Sequence, residues 1–429
     1  MENGRIRAFG DLEGWEADEE VDCTGKLLLP GAVDLSLNLL DNGPFDPESE
    51  AGVALATEQA ARGGVTTVVS TMSIEAGESA SQAIETQRGA DTGKAAVDFG
   101  YHLRIADWGP GRSTQLRSAT EAGVPSAWLP CQSLDASMPS PALLLAMLPD
   151  LPDDFLLLIG PWDAAVMASN LNRLGKSLGE EPPLWRETLT PAQEAAAVDM
   201  LLRHAAGTRG RILLHGISSH LSLEAYRRGR DRSTRVHLAT GLPYLLLHDG
   251  GDAPPARTWP PLRQRNDQQR LFSALEDAGC QAVVSGHKPR TAGRDDDGNP
   301  GSNGIPAQGL STLSRFYQGL HAEGVAKWRL SLGALSQVAA ADPAKLAGLH
   351  PRKGSLLPGS DADIVVLSPS EETPRAPEGS TSEFLAPLED RAYEGRIERV
   401  YLRGRLVTQD DKVVEKAAGE FLPRRPSLR

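Results

Sequence analysis

Apolar runs and helix-period segments alternate along the middle of the chain. The apolar runs predict buried strands at Lys26–Leu40, Val65–Thr71, Val97–Ile105, Phe155–Ile159, Ile212–His215, Val236–Ala239 and Ala282–Ser285. Apolar residues three and four apart predict helices at Glu48–Ala61, Pro191–Ala206, Asp267–Ala278, Pro306–His321 and Lys327–Ala341. This alternation predicts a parallel sheet covered by helices. About eight such units favour a closed (β/α)8 TIM barrel over an open doubly wound sheet.

The two ends of the chain have a different pattern. Residues 1–28 are polar with weak β character, and residues 352–429 contain short strand-like runs between Gly-, Pro- and Asp-rich turns. We expect 1–28 and 352–429 to form one small β-sandwich domain built from both termini, with 29–351 as the barrel. The basic tail Phe421–Arg429 is expected to be a frayed end, with docking on a partner as the alternative.

Composition excludes several classes of function. The chain has 44 Lys and Arg against 57 Asp and Glu, a net charge of −13. Binding to nucleic acid or to an anionic membrane is therefore not expected, because phosphate affinity needs a basic face. No apolar run approaches the roughly 18 residues of a membrane helix, and the first residues lack a signal peptide's apolar stretch. The three cysteines, Cys23, Cys131 and Cys280, are far apart, which excludes a CxxC motif and favours a reducing cytoplasm.

Several blocks resemble a dihydroorotase of the amidohydrolase superfamily. They are Pro30–Leu39, Ala60–Val69, Ile212–Ser218, Pro260–Arg263, Val283–Pro289, Asn303–Pro306 and Lys353–Leu367. They follow the family's order over nearly the whole chain. The resemblance implies a (β/α)8 barrel with a small β domain from both termini, in agreement with the pattern above. It also implies a divalent metal, usually zinc, that activates a water for attack on a cyclic amide.

The residues that would hold that metal are changed. The family's His-x-His is Ser36-Leu37-Asn38, and no lysine occurs between Lys94 and Lys176 to serve as the carboxylated ligand. A further histidine position is Gly160, and the proton-moving aspartate is Gly286. Of the implied ligands only His215 is retained. Serine and neutral asparagine are poor zinc ligands, so we expect no metal and no other cofactor.

The implied substrate-binding groups are changed as well. An arginine position holds Leu40, an asparagine position holds Ser73, and a His-His pair is Tyr244-Leu245. We therefore expect a degenerate homologue without catalytic residues, and not an enzyme. The departures resemble those of the noncatalytic pseudo-dihydroorotase that assembles with the catalytic chain of bacterial aspartate carbamoyltransferase in pyrimidine biosynthesis. The expected partner is that chain, and its trimeric symmetry makes 6:6 the expected stoichiometry.

Three alternatives remain open. The barrel could be a metal-independent or residual cyclic-amide hydrolase that uses His215, His287 and Asp163. It could be a homo-oligomeric scaffold, or an active dihydroorotase whose ligands lie elsewhere. Taken singly, these three side chains are expected to be structural, with Asp163 capping a helix or facing solvent. His220 is expected on the surface, and Cys131 as a buried apolar residue.

Overall fold

Eight parallel strands form a nearly closed barrel, as the strand–helix alternation predicted. A computed structural model describes all residues except 13, 38–50, 75–77, 105–110, 130–145, 176, 178–181, 206–207, 233–234, 251–256, 289–308, 328–329, 376–386, 390 and 427–429. The barrel strands are β2 (Ala32–Leu37), β3 (Val65–Met72), β4 (Asp98–Arg104), β5 (Ser126–Leu129), β6 (Leu156–Ile159), β7 (Arg211–Ile217), β8 (Val236–Gly241) and β9 (Ala282–Val284). Each pairs in parallel with the next. A parallel bridge between Leu37 and His287 joins the two ends.

The barrel strands are buried on both faces. All eight residues of β3 are buried, and its apolar and β-branched residues run without alternation. Strands of this kind need helices on the outside to cover them. The α-helices span Ala51–Arg62, Ala80–Asp91, Arg112–Glu121, Ala164–Leu174, Pro191–His204, His220–Gly229, Leu242–Leu246, Arg265–Glu276, Phe316–Gly319, Leu332–Ser336 and Asp342–Ala347. Two segments are π-helical, Leu320–Lys327 and Gln337–Ala341. Short 3₁₀ helices span Leu148–Asp150, Pro182–Thr188, Arg230–Arg232 and Leu313–Arg315.

Both termini contribute to a second sheet, as expected. Its strands are β1 (Leu27–Pro30), β10 (Ile364–Thr373), β11 (Tyr393–Leu402), β12 (Arg405–Gln409) and β13 (Lys412–Val413). They pair antiparallel in the order β1-β10-β11-β12-β13. The chain passes from this sheet to the barrel at Gly31, where a Cβ would lie 2.1 Å from Thr66 Oγ1. Only glycine lets the backbone approach β3 so closely.

A buried ionic cluster joins this sheet to the barrel. Lys353 Nζ lies 2.6 Å from Asp98 Oδ2 on β4 and 2.8 Å from Asp363 Oδ2 beside β10. A third carboxylate, that of Asp361, is 3.1 Å away. Lys353 is wholly buried, and the three carboxylates are nearly so. The cluster therefore fixes how the second sheet sits on the barrel.

The C-terminal tail packs on the barrel, so the expectation of a frayed end is wrong for residues 421–426. Phe99 N–H donates to Glu420 O at 3.0 Å, and Leu422 N–H donates back to Phe99 O at 2.8 Å. Arg424 follows with its side chain buried. The tail docks because its backbone pairs in parallel with the first residues of β4, and its side chains then fill adjoining space. No helix in the described part of the chain is long and apolar enough to cross a membrane.

Candidate active site

A pocket opens at the carboxyl ends of the barrel strands. It is lined from β2 by Ser36, from β5 by Trp128, from β7 by His215 and from the end of β9 by Val284 and His287. The empty space in the pocket, counted together with the solvent at its open mouth, is about 610 Å³. Barrel enzymes place their chemistry at this end, because the loops that follow the strands converge there.

His215 is the polar group at the base of this pocket. It is 5% exposed, and its Nε2 has no hydrogen-bond partner among the described residues. The Trp128 ring centroid lies 4.6 Å from that of the imidazole, at an interplanar angle of 69°. Trp162 approaches at 6.1 Å and 72°. Burial lowers the pKa of His215 to about 4, so the imidazole is neutral at pH 7.

A segment after β8 forms an aromatic wall. Tyr244 Oη donates to Pro260 O at 2.9 Å, and Thr258 Oγ1 donates to the same oxygen at 2.7 Å. Trp259 packs edge-on against Trp185 with ring centroids 5.5 Å apart. Trp185 Nε1 in turn donates to Thr258 O at 3.0 Å. These contacts hold the aromatic wall in place. Its ring surfaces are then available to pack against a planar group of a ligand.

His287 is held in one tautomer. Its Nδ1 accepts from the backbone N–H of Thr312 at 3.1 Å and of Leu313 at 3.4 Å. The proton of the neutral ring therefore sits on Nε2. Burial lowers the pKa of His287 to about 3, which keeps the ring neutral. The structural use expected for this residue is confirmed by its bonds to Thr312 and Leu313, and the residue also lines the pocket.

A buried carboxylate supports the pocket from below. Asp34 accepts from Ser285 N at 2.8 Å, from Ser285 Oγ at 2.6 Å and from Ser36 N at 3.2 Å. Burial raises the pKa of Asp34 although these hydrogen bonds oppose the shift. The carboxylate ties β2 to the end of β9, and so fixes the gap across which the barrel closes.

The structure brings together some of the sequence-predicted positions. Ser36, His215 and Gly286 all line the pocket, whereas Gly160 lies directly after β6. Asn38 and Cys131 lie outside the described residues.

Two residues that stand apart from the predicted ligand positions behave largely as expected. Asp163 caps the helix Ala164–Leu174 by accepting from Ala165 N at 2.8 Å, as predicted. His220 is half-buried, with Nδ1 2.7 Å from Asp267 Oδ1.

Sequence reasoning missed the tryptophans of the pocket. Trp128 and Trp259, which line the pocket, and Trp162, which packs against His215, were not identified. The available signal was their position: Trp128 lies near the end of a barrel strand, and Trp162 follows one closely. Bulky side chains at these points face the mouth of a barrel.

The residues present do not fit the metal that the fold family implies. No group of three or more His, Cys, Asp or Glu side chains in the described part of the chain could hold a metal ion. A Cβ on Gly160 would lie 2.4 Å from two ring carbons of Trp162, so an indole occupies the space of a ligand there. Gly286, at the position of the family's proton-moving aspartate, has no side chain to offer a metal. We therefore derive no step through a metal.

Comparison with known proteins gives full-length relatives. The amidohydrolase family model matches residues 292–407. A D-hydantoinase of Ralstonia pickettii is 28% identical over 99% of this chain and 94% of its own, and one of Rhizobium radiobacter is 27% identical over the same shares. The crystal structure of dihydropyrimidinase from Brevibacillus agri superposes with a TM-score of 0.87 at 26% identity, covering 100% of this chain and 95% of its own.

These relatives correct two expectations. The chain was expected to be a noncatalytic subunit supporting aspartate carbamoyltransferase, and not an enzyme. Both expectations are wrong, because the full-length relatives are named as enzymes, D-hydantoinases and a dihydropyrimidinase. The prediction that the chain is not an enzyme was wrong because it rested on the lost metal-ligand positions alone. Those positions concern one way of activating water and say nothing of the rest of the pocket. A 6:6 assembly with a carbamoyltransferase stays an untested prediction. The barrel with its terminal sheet, the family match and the full-length relatives place this chain in the amidohydrolase superfamily.

Proposed function

We propose that this chain hydrolyses a cyclic amide in the barrel pocket without a bound metal. The observation that carries the proposal is the buried imidazole of His215, which lines the pocket and has no hydrogen-bond partner at Nε2 among the described residues. The names of the relatives, D-hydantoinase and dihydropyrimidinase, supply the substrate class. Hydantoins and dihydropyrimidines are both small rings that contain a planar amide group.

The pocket has the surfaces that such a ring needs. Trp128, Tyr244 and Trp259 line it with aromatic faces, while Ser36 and Thr258 supply hydroxyl groups. A planar ring stacks or packs edge-on against such walls, and a few polar groups then fix its orientation. His215 and His287 are neutral at pH 7, so an uncharged ring meets no buried charge from either imidazole.

The reaction balances with water as the second substrate. The water oxygen bonds to the amide carbonyl carbon while the imidazole of His215 accepts one of the two water protons. The ring C–N bond then breaks, and the same proton passes to the leaving nitrogen. The product is an open chain with a carboxylic acid at one end, which at pH 7 releases the second water proton to solvent. His215 returns to its neutral form, as general base–acid catalysis requires.

We expect this reaction to be slow. A bound metal lowers the pKa of water from 15.7 to about 7, whereas an imidazole with a pKa of about 4 is a weak base. A positioned base contributes roughly 10²–10⁴-fold. Replacing His215 should therefore lower kcat/KM by about 100-fold or more.

The test is hydrolysis of hydantoin and 5,6-dihydrouracil by chelator-treated protein, followed by chromatography of the ring-opened product. We expect wild type to exceed the uncatalysed rate and His215→Gln to lose that excess. His220→Gln is the matched control, because His220 is half-buried on an outer helix and pairs with Asp267. Turnover that is equal in wild type and His215→Gln, or absent from wild type, would refute the proposal.

A further inference from the structure

The turn after β6 places the indole of Trp162 where a side chain on Gly160 would lie. Trp162 N–H donates to Gly160 O at 2.9 Å, which brings the ring back over the end of the strand. A Cβ on Gly160 would lie 2.4 Å from Cη2 and Cζ2 of that ring. Asp163 then caps the next helix and anchors the turn from the other side. The indole is 6% exposed, so it cannot swing out without opening the packed mouth.

Two indoles pack against the His215 ring. Trp128 lies 4.6 Å away and Trp162 lies 6.1 Å away, centroid to centroid, and both meet the imidazole nearly edge-on. No hydrogen bond from the described residues holds its Nε2. Aromatic packing therefore fixes the orientation of this ring.

We infer that Trp162 is a positioning residue: it fills the space of a metal ligand and, with Trp128, holds the His215 imidazole in a metal-free site. The catalytic part of this inference rests on the proposed function. Indole carbons offer no lone pair to a cation, and a zinc site needs three or four protein ligands. The same ring that orients the imidazole thus closes the place where a second imidazole would stand.

Trp162→Phe and Trp162→Ala test the inference. Phenylalanine keeps an aromatic contact and tests the role if the alanine variant does not fold. We expect Trp162→Ala to lower kcat by about 100-fold with little change in KM, because a displaced catalytic group loses orientation and not substrate contacts. Trp162→Phe should keep most of kcat. Trp15→Ala, at a half-exposed tryptophan of the N-terminal segment, is the control and should change neither constant.

Two readouts do not depend on turnover. In proton NMR the ring signals of His215, assigned by their loss in His215→Gln, should move in Trp162→Ala and Trp162→Phe and not in Trp15→Ala. Atomic emission after incubation with zinc and desalting should find no stoichiometric metal in wild type. If wild type lacks turnover but both readouts hold, the proposed function fails and the packing inference stands. Unmoved His215 signals, an unchanged kcat in Trp162→Ala, or one zinc per chain that His215→Gln releases would overturn the inference.

Discussion

Lys353 connects three carboxylates between the barrel and the terminal sheet, and its removal should be costly. We predict that Lys353→Met lowers the free energy of unfolding by about 3–5 kcal/mol, the usual loss when one member of a buried ionic group is removed. Methionine fills a similar volume, so the loss reports charge and not a cavity. The wholly buried ammonium lies within 3.1 Å of Asp98, Asp361 and Asp363.

The contacts that remain after the substitution determine which carboxylate loses the most stabilisation. Asp361 keeps Arg352 at 2.9 Å, and Asp98 keeps its ion pair with Arg403. Asp363 keeps hydrogen bonds from Thr66 Oγ1 at 3.0 Å and from a backbone N–H, but loses its ion pair. Burial already raises the pKa of Asp363 with the lysine present. Without it, we expect folded Asp363 to take up a proton.

Protonation gives the prediction a pH signature. A carboxyl whose pKa is higher in the folded than in the unfolded chain stabilises the fold at low pH, and this contribution is lost as pH rises through the folded pKa. The deficit of Lys353→Met should therefore shrink between pH 7 and pH 5.

Urea unfolding, followed by tryptophan fluorescence, measures the difference in free energy of unfolding between wild type and Lys353→Met. Lys345→Met is the control, since Lys345 is half exposed beside Asp342 and its pair is worth less than about 1 kcal/mol. Equal losses in the two variants, or a deficit that is constant with pH, would refute the reasoning.

Two further predictions concern buried histidines and a buried arginine. Burial lowers the pKa of His102 well below 6.5 and that of His237 to about 4, so the unfolded chain binds more protons between those values. The free energy of unfolding should fall by up to about 1.4 kcal/mol per histidine for each pH unit below 6.5, and His237→Gln should reduce that slope in urea titrations; a flat profile from pH 7 to 5 contradicts this. Arg424 is 1% exposed, with Nε and Nη1 lacking partners among the described residues, so Arg424→Met should change stability by less than about 1 kcal/mol or increase it. A loss as large as that of Lys353→Met would show that the two buried cations are equivalent.

The fold could be predicted largely from the sequence because its strands are long apolar runs. Where the pattern was short or ambiguous the prediction failed. Strand β5 (Ser126–Leu129) was missed, since four residues are too few to show a period. The helix predicted from Lys327 to Ala341 starts instead at Leu332, after Ser331 caps its first turn by accepting from Ala334 N.

Capping could be predicted because it is local. A threonine directly before a proline is a typical start of a helix, and at Pro191 Thr190 Oγ1 accepts from Gln193 N at 3.3 Å while Gln193 Oε1 accepts from Thr190 N at 2.9 Å. The buried position of the Arg424 side chain was not predictable in this way. Its guanidinium donates to Ser126 Oγ at 2.6 Å, a contact between residues 298 positions apart.

The site was harder to predict because the sequence shows which side chain has been lost, but not what fills the space it leaves. At Gly160 the missing histidine predicted the loss of a metal ligand and, with the other losses, of activity. The structure instead places Trp162 in that space, against an imidazole that has kept its position on β7. A close-packed interior does not leave such a gap open. The change that removes a ligand thus also sets the surroundings of the ring that remains, and His215 must be judged by the indoles packed against it rather than by the ligands it no longer has.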